Sequence, residues 1–213
     1  MSVTSSMLRG QYNSTNDQVI CDPITPLENF NVSKYGGTWV EQKHVRMIVE
    51  PNDCSCSTAE YTDLSNSVDA NGFRSFKLYN SCQFEILGEW LPREGVHGDA
   101  KCDVHGTCFV SIFDQPVPKP NLHILETDYT SYAINYNCDR DLNKVFMWIL
   151  TRQPVVSTAF YQKIYEKALK LAPHFNPETF AKRDIQGKMC TYDKEQNGSN
   201  LNQQLLQGNQ DLN

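Results

Sequence analysis

The chain has 213 residues, a length that favours one domain with accessory segments or at most two small domains. Apolar residues make up 39% of the chain and aromatic residues 11%, which is enough for a sizeable core and excludes wholesale disorder. The 19 basic and 25 acidic side chains give a net charge of −6, which argues against a nucleic acid or an anionic membrane as the partner. The longest apolar run, residues 145–150, is far shorter than the roughly 20 residues of a transmembrane helix.

The cysteine content points to an oxidising compartment. Eight cysteines, an even number, are spread over the whole chain, as is typical of disulfide-bonded secreted proteins. Three N-x-[ST] sequons, at Asn13, Asn31 and Asn197, are candidate glycosylation sites and agree with secretion. The first twenty residues contain no apolar stretch, so no signal peptide is visible. We therefore expect an extracellular protein whose signal peptide has been removed; a protein that is not secreted is the alternative.

The two ends of the chain differ from its middle. Residues 1–20 are polar and unpatterned, which predicts a flexible N-terminal arm. Residues 193–213 are rich in Asn and Gln and poor in apolar side chains, which predicts a disordered polar tail. Residues 21–192 show no internal repeat and are expected to form the folded domain.

The middle of the chain begins with segments typical of β-strands. Eight of them are rich in Val, Ile, Phe, Tyr, Trp and Thr and are separated by turn residues. They are 38–49, 57–64, 73–80, 84–91, 107–113, 121–127, 131–137 and 144–152. In 84–91, Ile86 and Trp90 share one face, and Glu85 and Glu89 lie on the other. Eight antiparallel strands in one sheet must close or pair with another sheet to hide their edges.

A helical pattern follows the strands. Ser157 is placed to cap a helix that runs to about Ala172, with one apolar stripe along it. A second short helix is expected to start at Asn176, with Pro177 at its first position. A helix with one apolar face needs a surface to cover, and the outside of the sheet is the obvious one.

Three motifs in this order resemble the signatures of the lipocalin family. They are ENFNVSKYGGTW (28–39), ETDYTSYAINYNC (126–138) and FMWILTRQP (146–154). The resemblance is strongest to the branch of apolipoprotein D and the insect bilin-binding proteins. It implies a mainly β fold over 21–192: an eight-stranded antiparallel up-and-down β-barrel, or calyx, with a C-terminal α-helix packed outside. It also implies structural roles at the closed end of the barrel for Gly37, Trp39, Thr127, Asp128, Tyr129 and Arg152.

The resemblance also implies two disulfide bonds. In the family, the N-terminal arm is tied to the end of the seventh strand, here Cys21 to Cys138, and the second strand to the C-terminal segment, here Cys56 to Cys190. Cys54 can then reach Cys82 across two antiparallel strands, which leaves Cys102 with Cys108. The spacing of His97, Cys102, His105 and Cys108 also fits a zinc site, but an oxidising compartment favours the disulfide, so we expect no metal.

The family resemblance implies a carrier of a small hydrophobic ligand, without a covalent cofactor and without enzymatic activity. Strand alternation from Arg152, the apolar faces of the other strands and positions that line the pocket in this branch define an expected ligand-binding set. The set comprises Tyr61, Phe76, Leu78, Ile86, Trp90, Tyr136, Phe146 and Trp148. It suits a flat apolar ligand such as a bilin, retinoid, carotenoid, steroid or fatty acid, bound as a non-covalent chromophore or lipid. The alternative is that these aromatic side chains only fill a narrow core.

Two other functions stay open. Some lipocalins use a cysteine nucleophile for isomerisation, but eight cysteines that pair as four disulfides leave no thiol for it. The barrel could instead be a protein-binding scaffold that acts through the cysteine-rich segment around residues 94–106, which we place at the mouth of the barrel. Neither alternative involves nucleic acid or a membrane span, and the sequence does not fix the oligomeric state.

Overall fold

The computed structural model describes residues 18–46, 54–62, 65–112, 115, 117–180 and 186–192. Within these ranges the chain forms nine β-strands, two α-helices and one 3₁₀ turn. The strands are β1 (Gly37–His44), β2 (Cys54–Thr62), β3 (Arg74–Ile86), β4 (Glu89–Trp90), β5 (Glu94–Cys102), β6 (Thr107–Ile112), β7 (Leu122–Thr127), β8 (Tyr132–Asp139) and β9 (Lys144–Thr151). The helices are α1 (Val32–Tyr35) and α2 (Thr158–Leu171), and the 3₁₀ turn is Pro177–Thr179. The predicted tail 193–213, and the predicted arm except residues 18–20, lie outside the described residues.

Eight of the strands close into an antiparallel barrel. Each pairs with its neighbours in the order β1-β2-β3-β5-β6-β7-β8-β9, and β9 pairs back with β1. The short β4 pairs with the end of β3 and adds a ninth strand outside the ring. Closure removes the unpaired sheet edges that an open sheet would expose. The expected mainly β barrel with an outer helix is therefore confirmed.

The prediction of a strand over 84–91 is wrong. Residues 84–86 end the long strand β3, Leu87 and Gly88 turn with positive φ, and β4 returns over two residues. The barrel strand that follows is β5, which the sequence analysis placed in a loop. The sequence pattern did not indicate β5 as a strand because it contains Gly95 and Gly98, and glycine has a low strand propensity. These glycines are needed here because neighbouring strands pack closely against them. A Cβ at Gly98 would lie 2.3 Å from the carbonyl oxygen of Ser111.

The helix α2 covers the outer face of β8 and β9. Ser157 caps it, with the side-chain oxygen accepting the N–H of Phe160 at 3.2 Å, as expected. Ile164 and Ala168 are buried in one cluster with Met147 and Ile149 of β9. The barrel wall is therefore buried on both faces here, because the helix lies outside and the core lies inside. None of the described helices is long and apolar enough to cross a membrane.

Four disulfide bonds account for all eight cysteines and join the expected pairs. They are Cys21–Cys138, Cys54–Cys82, Cys56–Cys190 and Cys102–Cys108. The zinc alternative is therefore wrong, because both of its thiolates are in a disulfide and His97 stacks on Tyr79 outside the barrel. Among the described residues, no group of three or more His, Cys, Asp or Glu side chains is placed to hold a metal ion.

The segment around residues 94–106 does not lie at the mouth of the barrel. Residues 94–102 are the wall strand β5, and the turn after it meets the segment that leads into α1. There the backbone N–H of Leu27 donates to His105 and that of Phe30 to Val104. Cys102 and Cys108 are buried inside the barrel in the same cluster as Trp39. The cysteine-rich turn is thus part of the closed end, which corrects the expectation.

One sequon lies in a described segment. Asn31 is exposed and begins α1, with its side-chain oxygen accepting the N–H of Lys34 at 3.0 Å. Its glycosylation stays a prediction. Asn13 and Asn197 lie outside the described residues.

Candidate functional site: a sealed floor and an accessible cup

The closed end of the barrel is built around Trp39 and Arg152. Trp39 is fully buried and its indole N–H donates to the carbonyl of Tyr35 at 2.8 Å. The guanidinium of Arg152 lies 3.6 Å from the centre of the Trp39 ring, a cation–π contact. It also donates to the carbonyls of Tyr129, at 3.0 Å, and Thr38, at 2.8 Å. Arg152 therefore joins the start of β1 to the β7–β8 corner.

Burial changes the acidity of Arg152 without removing its charge. Desolvation lowers the pKa of its guanidinium to about 10, partly offset by the electrostatic contributions of Tyr35, Tyr61 and Asp128. The group stays protonated at neutral pH because a pKa of about 10 lies well above it. Gly37, with φ of +86°, lets the chain turn beneath this side chain into β1.

The corner between β7 and β8 is held by Asp128. Its carboxylate accepts the backbone N–H groups of Ser131 at 2.7 Å and of Thr130 and Tyr132 at 3.0 Å. Burial opposes the charged form, but these hydrogen bonds outweigh it and lower the pKa of Asp128. Thr127 closes the corner, because its hydroxyl donates to the carbonyl of Tyr132 at 2.8 Å.

Tyr129 completes the corner and links it to α1. It adopts a left-handed conformation, with φ of +66°, and its hydroxyl accepts the N–H of Asn31 at 3.1 Å. The ring of Tyr129 stacks on Phe30, with centroids 6.1 Å apart. Residues of all three signature motifs therefore meet at one end of the barrel.

Aromatic rings fill the barrel immediately above the floor. Tyr35 is buried and its hydroxyl donates to the side chain of Asn135 at 3.0 Å. Tyr61 packs against Tyr35 and, edge to face at 5.5 Å, against Phe76. Burial is the main cause of the raised pKa of the Tyr61 hydroxyl, and the negative charge of Glu41 adds to it. Leu78, only 2% exposed, belongs to the same cluster.

Further up, the interior is less completely filled. Four apolar side chains pack on the buried cluster from inward-facing positions, yet stay partly accessible to solvent. They are Val110, Ile112, Leu122 and Trp148. Phe146 lies parallel to Trp148, with ring centroids 5.9 Å apart, but is 4% exposed and is buried in the cluster that contains Met147 and Ile149. The barrel therefore has a sealed floor and, above it, an accessible apolar interior. We call the part of the interior lined by Val110, Ile112, Leu122 and Trp148 the cup.

Tyr136 does not face the cup. It pairs with Met147, whereas the neighbouring Asn135 pairs with the inward-facing Trp148. The Tyr136 ring is 1% exposed in the cluster beneath α2, and its hydroxyl accepts the N–H of Asp22 at 3.0 Å. The sequence placed Tyr136 on the inner face of β8, which is wrong. Both faces of this strand are buried, so the alternation of side chains alone does not distinguish the inner face from the outer one.

Ile86 and Trp90 also lie outside the cup. Ile86 is 55% exposed beside the β3–β4 turn. Trp90 packs on a cluster on the outer wall that contains Cys56, Cys190 and Tyr192. Both assignments followed from the mistaken strand over 84–91.

Two ionisable side chains that face the cup were not among the predicted site residues. Glu41 pairs with Leu150 of the interior cluster, and His44 pairs with Trp148. The Glu41 carboxylate contacts the Nδ1 atom of the His44 imidazole. Alternation from Trp39 could have placed Glu41 inside. His44 could not be found that way, because a bulge between Glu41 and Lys43 reverses the alternation.

Comparisons with known proteins agree with this architecture. The lipocalin-like domain family matches residues 30–177. The bilin-binding protein of Pieris brassicae is 30% identical over 142 residues, which cover 64% of this chain and 69% of that protein. Apolipoprotein D of Mus musculus is also 30% identical over 142 residues, with coverage of 62% and 66%. The structure of insecticyanin from Manduca sexta matches with a TM-score of 0.59 at 26% identity, covering 83% of this chain and 92% of that one. The chain belongs to the lipocalin family, in the branch of apolipoprotein D and the bilin-binding proteins.

Proposed function

We propose that this lipocalin carries a small hydrophobic ligand in the cup of its barrel, outside the cell. The observation that carries the proposal is the gradient of burial along the barrel. Floor side chains such as Trp39 are fully buried, whereas apolar Trp148 and Ile112 face the same interior and stay accessible. Apolar side chains left accessible inside a barrel favour an apolar occupant. The bilin-binding protein, a relative, is named for such a ligand.

The shape of the cup favours a flat ligand. The rings of Phe146 and Trp148 are nearly parallel, at 14°, and the partly accessible Trp148 offers a face onto which a planar molecule can stack. Tyr61, Phe76 and Leu78 form its base. A bilin, retinoid, carotenoid or steroid fits this lining better than a strongly charged molecule.

The size of the apolar contact sets the expected affinity. A ligand that buries ~300 Å² of apolar surface gains roughly 7.5 kcal/mol at ~25 cal/mol per Å². Micromolar binding needs about 8 kcal/mol net, and association itself costs several. Aromatic stacking and at least one polar contact are therefore needed, and the cup offers both.

The alternative functions have less support. A cysteine-dependent isomerase needs a thiol, and the eight cysteines are all in disulfide bonds. A scaffold that acts through a cysteine-rich mouth loop loses its basis, because Cys102 and Cys108 are buried at the closed end. The four disulfides support an extracellular location.

Tryptophan fluorescence tests the proposal, because Trp148 faces the cup and Trp90 lies on the outer wall. The protein is titrated with biliverdin, retinol, a steroid and a long-chain fatty acid. We expect at least one of them to quench the emission at micromolar concentration. Trp148→Phe should remove most of that change, and the matched control Trp90→Phe should keep it. If no compound perturbs the fluorescence, or if only Trp90→Phe removes the change, the carrier function is wrong.

A further inference from the structure

The Glu41–His44 pair is the feature of the cup that an apolar carrier does not need. Both side chains are largely buried, at 15% and 6% exposure. A buried carboxylate and imidazole lose their hydration on folding, and replacing such a polar pair by apolar side chains is often neutral or stabilising, so the fold alone gives no reason to keep this one. A polar pair that faces a ligand cavity is instead typical of a group that orients the ligand.

The backbone around the pair is fixed from outside the barrel. The amide of Gln186 donates to the carbonyl of Glu41 at 2.9 Å and to that of Ser57 at 3.1 Å, so it clamps β1 to β2 beside the bulge. In the bulge, Gln42 points outward and donates to the hydroxyl of Thr151 at 3.0 Å. The contacts of Gln186 and Gln42 therefore fix the backbone of β1 so that the side chains of Glu41 and His44 lie on the inner face of the barrel.

The charge of Glu41 acts on the interior. The carboxylate adds to the effect of burial in raising the pKa of Tyr61 at the base of the cup. A second carboxylate brought in by a ligand would meet this negative charge in a poorly solvated interior, where repulsion is strong. An ammonium or a hydroxyl group can instead donate a hydrogen bond to the carboxylate, and such charge-assisted bonds are the stronger class.

We propose that Glu41 and His44 form a polar subsite that selects, among hydrophobic ligands, those with a hydrogen-bond-donating head group. An amine binds best, a hydroxyl next, and a carboxylate worst. The inference rests on the carrier function proposed above and adds the chemical class of the ligand. The apolar part of the ligand stacks on Trp148, which pairs with His44 across β1 and β9.

Three probes with one chain and different head groups test the inference: dodecylamine, dodecanol and dodecanoate. Their dissociation constants are measured by Trp148 fluorescence. We expect dodecylamine to bind about tenfold more tightly than dodecanoate, or ~1.4 kcal/mol, with dodecanol between them. Glu41→Gln should abolish this ratio and weaken dodecanol only slightly, because the amide oxygen still accepts its hydroxyl. Glu166→Gln on the exposed face of α2 removes the same charge and should keep the ratio.

A second variant keeps the test decisive if Glu41→Gln does not fold, which thermal unfolding would reveal. His44→Gln leaves Glu41 without its imidazole partner and should raise the preference for the amine. The inference is overturned if dodecanol binds but the ratio is near one, or if it survives in Glu41→Gln or falls in His44→Gln. If none of the probes and none of the compounds of the first titration binds, the carrier function itself fails.

Discussion

The two halves of the barrel are held together in different ways. The closed end is filled, with Trp39 fully buried and five backbone carbonyls hydrogen-bonded to the guanidinium of Arg152. The other half keeps an accessible interior, and disulfides brace its wall. Cys54 starts β2 and is bonded to Cys82 near the end of β3, and Cys138 near the end of β8 is bonded to the N-terminal segment.

This difference has a physical reason. Side chains around an unfilled cavity lack the packing contacts that stabilise a solid core. A disulfide stabilises the fold mainly by restricting the unfolded chain, so it does not depend on a filled interior. Cross-links between the strands of the wall can therefore offset the packing that an accessible cup lacks.

The largest expected effect comes from the third disulfide of the wall, which joins Cys56, two residues after Cys54 in β2, to Cys190. Cys56 and Cys190 are 134 residues apart, so removing their bond through Cys56→Ala with Cys190→Ala should cost about 5 kcal/mol in the chain-entropy model. Cys102 and Cys108, at the closed end, are six residues apart, and the same change there should cost about 2 kcal/mol. Urea unfolding without reductant measures both. Equal losses would contradict the dependence on loop length, and with it the claim that the long-range disulfides contribute most to the stability of the wall.

The next largest effect on stability is expected from substitutions that remove the contact between Trp39 and Arg152 at the floor. Trp39→Ala removes a fully buried indole and should lower the free energy of unfolding by ~3–5 kcal/mol. Arg152→Ala should cost less, and the double variant should lose clearly less than the two single losses combined, because they share one cation–π contact. Thermal and urea unfolding of the four proteins measure the coupling. Additive losses would contradict a shared contact.

A change in the cup should affect binding more than stability. Trp148 is only partly buried, so Trp148→Ala should weaken the ligand that quenches its fluorescence about tenfold or more but cost less stability than Trp39→Ala. Calorimetric titration is suitable because it does not need the indole. If Trp148→Ala destabilises the protein as much as Trp39→Ala and leaves the affinity unchanged, the proposed division into a stabilising floor and a binding cup is wrong.

The smallest expected effect is a pH dependence at the closed end. The pKa of Asp128 is lower in the folded protein than in the unfolded chain, so its contribution to stability is full above the unfolded pKa of ~3.9. It is lost as the pH falls through the folded pKa. Asp128→Asn should therefore be less stable than the parent at pH 7, and the two proteins should converge in acid. A constant difference between pH 7 and pH 2 would contradict this role.

The closed end could be predicted well because its residues lie in three short motifs that resemble the lipocalin signatures. Gly37, Trp39, the Thr127–Tyr129 corner and Arg152 can be recognised in these motifs although their contacts join distant parts of the chain. Most strands could be recognised because their apolar and polar side chains alternate.

The cup could be predicted only in part because it depends on tertiary features. The wall strand β5 was not predicted because Gly95 and Gly98 lower its strand propensity. Both glycines are needed where another backbone approaches closely. Tyr136 was assigned to the wrong face because α2 makes the outer face of β8 as buried as the inner one. His44 faces inward only because of a bulge, which no residue pattern in β1 announces.

Photocrosslinking most directly tests whether the accessible half of the barrel holds the ligand. A diazirine-bearing dodecanol is bound and irradiated, and the labelled residues are mapped by mass spectrometry. We predict labels on the inward-facing Trp148, Val110 and Ile112, reduced by excess unlabelled dodecanol. Labels confined to Tyr136 beneath α2, or to Leu87 in the exposed turn after β3, would contradict the account.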